Sequence, residues 1–359
     1  MRALVLILAL STAGAGAAGA QEAGSGVDLR ATLTAEGVGS SELTDAPRSG
    51  APMIAAERAV VYPTIKFGEH WFITGAMQLV TRPYYYSELS AAGYNAKGEL
   101  LQGTLNYSRI SEKGSLLARA GMLSTAFGSF LLRYDDADNP LVDVPMEYGY
   151  YALVSLDGVA GAEIDATRGK WDGRVQFANS SPANPRSLFA RDQYGNWAGG
   201  AGYTIRQGFR VGASAYRGPY LDRQSHYFLP GELNPSKLPA RGEGVDANWA
   251  RGHTSAYAEV QRFTLPYTKI PTLRETVGYG ELRQVLSPRW FVAERYGMAS
   301  NNYVTRTQSL ESSAGFRPDR FQLLKVGYEF EHYSSGDENH DNIVGIQLIT
   351  TFHKSAAWE

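Results

Sequence analysis

The sequence predicts an all-β fold: a transmembrane antiparallel β-barrel of about sixteen strands. Three observations predict it. Apolar and polar side chains alternate through much of the 359 residues, short turns alternate with longer connections, and the composition is rich in Gly (39), Tyr (22) and Trp (6). Such a composition supplies turns and interfacial aromatics. Beyond residue 20 no window approaches eighteen uncharged apolar residues, and the hydrophobic fraction is 43%. A helical membrane protein is thereby excluded. A formal charge of -2 gives no electrostatic case for nucleic acid, and the absence of cysteine excludes disulfides and thiolate metal sites.

The chain opens with Arg2, an apolar run from Ala3 to Leu10, and small residues ending in Ala18-Gly19-Ala20. This pattern predicts a secretory signal peptide over 1–20, cut after Ala20, because the apolar run is too short to span a bilayer. Residues 21–359 then form one barrel domain without a linker.

Strand by strand, the dyad repeats. In 27–35, Val27, Leu29, Ala31 and Leu33 oppose Asp28, Arg30, Thr32 and Thr34. In 101–108, Leu101, Leu105 and Tyr107 oppose Gln102, Thr104, Asn106 and Ser108. Residues 170–179 set Trp171, Val175 and Phe177 against Lys170, Asp172, Arg174 and Gln176, and 209–216 set Phe209, Val211, Ala213 and Ala215 against Arg210, Ser214 and Tyr216. The clearest case is 319–333, with Gln322, Leu324, Val326, Tyr328 and Phe330 on one face and Lys325, Gly327, Glu329 and Glu331 on the other. The last strand, "NIVGIQLITTFH", continues the pattern. One face suits lipid and the other suits water. Pro63 within a strand and the mixed charges Glu275, Glu281, Arg283, Glu294 and Arg295 fit this scheme poorly.

Turn signals fall at 68–70, 111–114, 167–169, 206–208, 250–252, 287–288 and 317–319. Seven hairpins plus one strand at each end give sixteen strands, with both termini on the short-turn side. Aromatic residues near strand ends, among them Trp71, Trp171, Trp249, Trp290 and Tyr333, fit an interfacial girdle better than a sugar-stacking track. Gly199, Gly200 and Gly202 mark either a corner of the barrel or the approach of an inserted loop.

Three segments, "RAGMLSTAFGSFLLRYDDADNPL", "GVAGAEIDATRGKWDGRVQFANSS" and "AGFRPDRFQLLKVGYEFEHY", resemble the strand-to-loop passage, the central hairpin and the penultimate hairpin of the general and phosphate-selective porin superfamily. The resemblance implies a bacterial outer-membrane channel for passive diffusion of small hydrophilic solutes and ions, embedded in outer-membrane lipid, without a cofactor, and assembled as a homotrimer. It also implies that the third long connection folds back into the lumen. No N-terminal coiled-coil arm and no ladder of Arg and Lys is present, so phosphate selectivity is not carried over.

That third connection, Thr125 to Asp157, is the longest of the set. It carries Asp135, Asp136, Asp138, Asp143 and Glu147 against a single Arg133, with Pro140 and Pro145 opposing regular structure. Crowded acids repel one another unless counter-charges or water lie near. The inward faces offer Arg30, Arg119, Arg174, Arg210 and Lys325 as a pore wall. An acidic constriction loop facing a basic wall would set a transverse field across the channel. The other reading leaves the loop outside the barrel and the cations merely hydrating the lumen.

Two rival readings belong to other function classes, a barrel enzyme at the outer membrane and a plugged barrel acting as receptor or adhesin. His70, His226, His253, His332, His340 and His353 are scattered, none within reach of a Ser nucleophile or paired acid in a recognisable motif, so no catalytic residue is expected. "SSGDENHD" at 334–341 offers Asp337, Glu338, Asn339 and Asp341 but lacks the spacing of a calcium loop, and no metal is expected.

Overall fold

The computed structural model describes residues 25–41, 53–82, 84, 95–148, 158–179, 195–218, 238–303, 306–334 and 340–358. The expected signal peptide, the end of the third loop at 149–157 and most of the 334–341 stretch lie outside them. Sixteen strands form one closed antiparallel barrel: β1 (Ser25–Ser40), β2 (Met53–Phe67), β3 (Trp71–Arg82), β4 (Asn95–Ser111), β5 (Gly114–Leu123), β6 (Val159–Arg168), β7 (Trp171–Ala178), β8 (Asn196–Arg206), β9 (Phe209–Gly218), β10 (Ala240–Arg251), β11 (Thr254–Leu265), β12 (Leu273–Val285), β13 (Trp290–Asn301), β14 (Arg306–Phe316), β15 (Gln322–Tyr333) and β16 (His340–Trp358). Each strand pairs with its sequence neighbours, and β1 closes the ring on β16 from Ser25↔Trp358 to Ser40↔Ile343. Closure removes every free edge, so each strand is paired on both sides without recourse to water along an edge.

The seven predicted turns all fall at one end of the barrel, where both described ends, Ser25 and Trp358, also lie. The final "HKSAAWE", up to Trp358, extends β16 along β1. On the outer surface, Leu29, Leu33, Val326, Val344, Ile346 and Leu348 are exposed, whereas Thr32, Lys325, Gln347 and Ile349 on the opposite face are buried. The predicted alternation is therefore the outside and inside of the cylinder. Outward-facing cross-strand aromatic pairs gather at the short-turn end, with ring centroids 5.1 Å apart in Trp71–Tyr107, 4.7 Å in Trp171–Tyr203 and 4.5 Å in Trp290–Phe316. Tyr333 departs from the girdle expectation: it pairs with the buried Thr307 and its hydroxyl meets Glu331, placing it on the lumen side.

Two local irregularities have physical causes. Pro63 has no N–H to donate, and the β2–β3 register skips Tyr62 and Pro63 between Val61↔Met77 and Thr64↔Thr74. The β3–β4 register shifts beside it, between Ala76 and Met77, where the partners step from Gln102 to Leu100. This bulge turns Leu101 inward to 3% exposure while Leu100 and Leu105 face out, so the expected placement of Leu101 with Leu105 is corrected. The mixed charges of β12 and β13 also sort once register is known: Glu281 and Arg295 face in and are buried, while Glu294 faces out and is exposed.

Candidate functional site

The chain leaves β5 at Leu123 and crosses the inside of the barrel. Gln176 of β7 holds the departure, donating to the Ser124 carbonyl at 2.7 Å and accepting from the Ala126 amide at 3.2 Å. Phe127 then packs among Tyr216 and Phe263 with centroids 6.3 and 5.7 Å away. Gly128 follows with φ +81°, and a Cβ there would lie 2.2 Å from the Tyr148 hydroxyl. Only glycine serves on both counts. Alternation ends at Ala126-Phe127-Gly128 because the chain turns here into the lumen.

Wall residues from around the ring pin the loop. Ser129 donates through its amide (3.0 Å) and hydroxyl (2.7 Å) to Glu259 of β11. Arg133, at the end of a 3-10 turn over Phe130–Arg133, bonds Glu281 of β12 at 2.5 Å and stacks on Tyr257 at 3.8 Å. The next residues reach the opposite wall. Asp135 accepts from Thr32 of β1 at 2.9 Å, and Asp136 accepts from Thr34 (2.7 Å), Arg58 of β2 (2.9 Å) and the Tyr84 hydroxyl (2.9 Å). Asp138 accepts from Arg30 at 3.1 Å. Returning, the loop offers the carbonyls of Asp136, Asn139 and Leu141 to the Lys325 ammonium at 3.1, 3.1 and 2.6 Å. A buried ammonium demands such a cage. The Val142 amide donates to Glu311 at 2.8 Å, and Arg295 donates to the Asp143 carbonyl at 3.0 Å. Finally Tyr148 comes back to the start, accepting from the Ser129 and Phe130 amides and donating to Glu259 at 2.9 Å. The described part of the loop, 124–148, is thus a staple-closed plate fixed to β1, β2, β7 and β11 through β16.

The predicted acids divide into three kinds. Asp135 and Asp136 are buried against polar wall groups, and Asp138 is paired with Arg30 yet keeps 46% of its side chain exposed. Asp143 has no ion pair among the described residues, and burial beside Glu311 pushes its carboxyl well above the ordinary range. Glu147 is buried with neither carboxyl oxygen hydrogen-bonded, and desolvation next to Glu259 likewise pushes it well above that range.

The five predicted wall cations divide as well. Arg30, Lys325 and Arg174, which donates to the Gly128 carbonyl, touch the loop. Arg119 instead pairs with Glu163 and Asp165, and Arg210 with Asp172 at 2.6 Å and Asp246 at 2.7 Å, all on the wall. The expectation of a basic wall is corrected: Glu259, Glu281 and Glu311 bring carboxylates to the same face, and Arg133 of the loop meets one of them. Of the three glycines in β8, Gly202 leaves room for the Arg210 guanidinium, from which a Cβ there would lie 2.1 Å. The sequence reading missed Arg58, whose inward neighbours Ile54, Ala56 and Val60 are apolar, so β2 shows no wet face there. It also missed Tyr148, Glu259 and Glu311, single polar residues for which no spacing signal exists.

Among solved structures the barrel is similar to OmpF of Salmonella typhi in complex with daunomycin, at TM-score 0.61 and 11% identity over 92% of this chain and 98% of that one. It is similar to the anion-selective porin of Comamonas acidovorans at TM-score 0.60 and 10% identity, covering 92% and 100%. The outer membrane channel DcaP of Acinetobacter baumannii gives TM-score 0.61 and 11% identity, covering 92% and 99%. The chain has the porin fold. No family model and no curated relative matches the sequence. At such identity the likeness to porins is one of architecture.

Proposed function

We propose that the protein is an outer-membrane porin, a water-filled channel through which small hydrophilic solutes and ions diffuse passively. The observation that carries this reading is the loop plate, which narrows the barrel and leaves the Asp138 carboxylate partly open beside Arg30. Further charged side chains on the lumen face, Arg210 (29% exposed) and Asp172 (35%), remain in contact with solvent while paired to each other. Paired, partly wet charges suit a hydrated path rather than a sealed interior. Asp135, Asp136, Asp138, Asp143 and Glu147 form the constriction loop in this reading, with Asp138 at the aperture. Arg30 and Arg174 act from the wall, Lys325 anchors the loop, and Arg119 and Arg210 line the passage beyond it.

The chain carries a signal peptide over 1–20 in this reading and resides in the bacterial outer membrane. Homotrimer assembly is supported by a similar structure, OmpT of Vibrio cholerae, described in a trimer form, and the assembled mass in detergent measures it. A second reading, a plugged barrel, has one observation in its favour: Phe127, Phe130, Phe263 and Tyr279 form a dry cluster between loop and wall. Single-channel recording in a planar bilayer separates the two. A porin gives large ohmic steps and a reversal potential under a salt gradient; a bilayer that stays silent at high protein load overturns the channel reading.

A further inference from the structure

The loop plate divides the lumen into two mouths, and the strands that hold it carry charge in one order. On β1, Glu36 lies on the long-loop side of Thr32 and Thr34, which hold the plate, and Arg30 lies on the short-turn side. On β12 the order is Glu275, then Glu281 bonded to Arg133 of the plate, then Arg283. On β14, Glu311 and Ser313 hold Val142 and Pro140, and the chain runs on to Arg317 at the short turn. On β15 and β16, Glu329 and Asp341 lie on the long-loop side of Lys325 and Gln347, which bond plate carbonyls. None of these strands reverses the order.

Pairing sharpens the division. Arg30, Arg119 and Arg210 are answered by carboxylates at close range. Among the described residues Glu36, Glu275, Glu329 and Asp341 have no cation within ion-pair distance, and all four lie on the long-loop side. Arg174, Arg283 and Arg317 have no carboxylate within that distance, and all three lie on the short-turn side. Arg283 and Arg317 instead act at longer range on each other and on Asp138. Glu259, also without a cation, sits between the two groups at the plate, bonded to Ser129. Charge without a close partner is therefore negative in the long-loop mouth and positive in the short-turn mouth.

We propose that this axial separation of charge makes the channel rectify, passing more current when the long-loop side is positive; the inference rests on the channel reading above. A negative mouth gathers cations and a positive mouth gathers anions. With the long-loop side positive, each ion enters through the mouth that gathers it, and both accumulate at the plate. With the polarity reversed, each enters through the mouth that repels it, and the aperture loses carriers.

Planar-bilayer recording of the full chain tests this, with Ser255→Cys added to report orientation. The chain has no native cysteine, and Ser255 is the second residue of β11 from its short turn. A thiol reagent too bulky to cross the aperture then lowers the current only from the short-turn side. In salt of about 0.1 M, where the Debye length is about 10 Å, conductance at the two polarities should differ about twofold. In about 1 M salt, where that length falls to about 3 Å, the ratio should approach one and the steps become ohmic. Glu275→Gln, Glu329→Gln and Asp341→Asn combined, or Arg283→Gln with Arg317→Gln, should each bring the low-salt ratio toward one. Glu57→Gln with Glu294→Gln, at carboxylates exposed on the outer surface, should leave it unchanged. Heat-modifiable gel mobility verifies that each variant is a folded barrel. A ratio that survives both lumen sets, or persists in 1 M salt, would come from the shape of the plate and overturns the proposal, as does larger current at the opposite polarity. Symmetric steps at low salt overturn this inference alone, and a silent bilayer overturns the channel reading with it.

Discussion

Asp136 and Asp138 lie two residues apart and meet opposite environments. Asp136 is enclosed by Thr34, Arg58 and Tyr84, whereas Asp138 has one partner and an open side. A charge about 7 Å from a permeating ion in water contributes roughly 0.6 kcal/mol. Asp138→Asn should therefore disfavour cations and favour anions by about 2.7-fold each, shifting the permeability ratio toward anions by up to about sevenfold before salt screening, read as a reversal potential. Asp135→Asn and Asp136→Asn should change selectivity less, because their charges are already answered at close range. Arg58 is a residue whose loss should be costly. Its side chain is 0% exposed, and removing one partner of a buried pair costs about 3–5 kcal/mol. Arg58→Ala should lower unfolding stability by that order in urea titrations of the vesicle-inserted protein; a change under about 1 kcal/mol would show that Asp136 is held by its other partners.

At the scale of the element, the loop is a plate that encloses an unpartnered acid, Glu147. Its carboxyl is buried without hydrogen bonds, so the folded state favours the protonated form and the folded pKa lies above the unfolded value near 4.3. The sign follows. Below the unfolded pKa Glu147 costs nothing as an acid, and as pH rises toward the folded pKa stability is lost by about 1.4 kcal/mol per unit. Glu147→Gln should leave stability near pH 4 little changed and raise it increasingly as pH climbs from the unfolded value toward the folded one, with amide exchange in 124–148 slowing in step. Exchange that is equal in both proteins at pH 8 would place Glu147 in water. That this loop is long, acidic and broken by proline is legible in the sequence; which acids are buried is not. Burial depends on meeting Thr32, Thr34 and Arg58 from strands about a hundred residues earlier in the chain, and no local pattern encodes that meeting. Leu101 teaches the same lesson in β4. A bulge, caused beside a proline in a neighbouring strand, reverses its face, and its own sequence carries no sign of it.

For the whole molecule, strand number, turn positions and the inside–outside sense were legible because a closed barrel imposes period two on every strand and leaves no edge to exempt one. The sign of the lumen wall was not. Alternation identifies polar inward positions but not their pairing, and Arg119 with Glu163, or Arg210 with Asp172, cancel within the wall before any loop charge meets them. Salt dependence should reflect this: a lumen of paired charges has a weaker net field than a basic wall facing an acidic loop. The central claim is that residues 124–148 lie across the lumen and set its aperture. Single-channel conductance of a variant lacking 129–146, compared with the intact chain in the same salt, tests it most directly. Steps several-fold larger are predicted once the plate is gone, whereas unchanged steps would mean that the loop stands outside the conducting path.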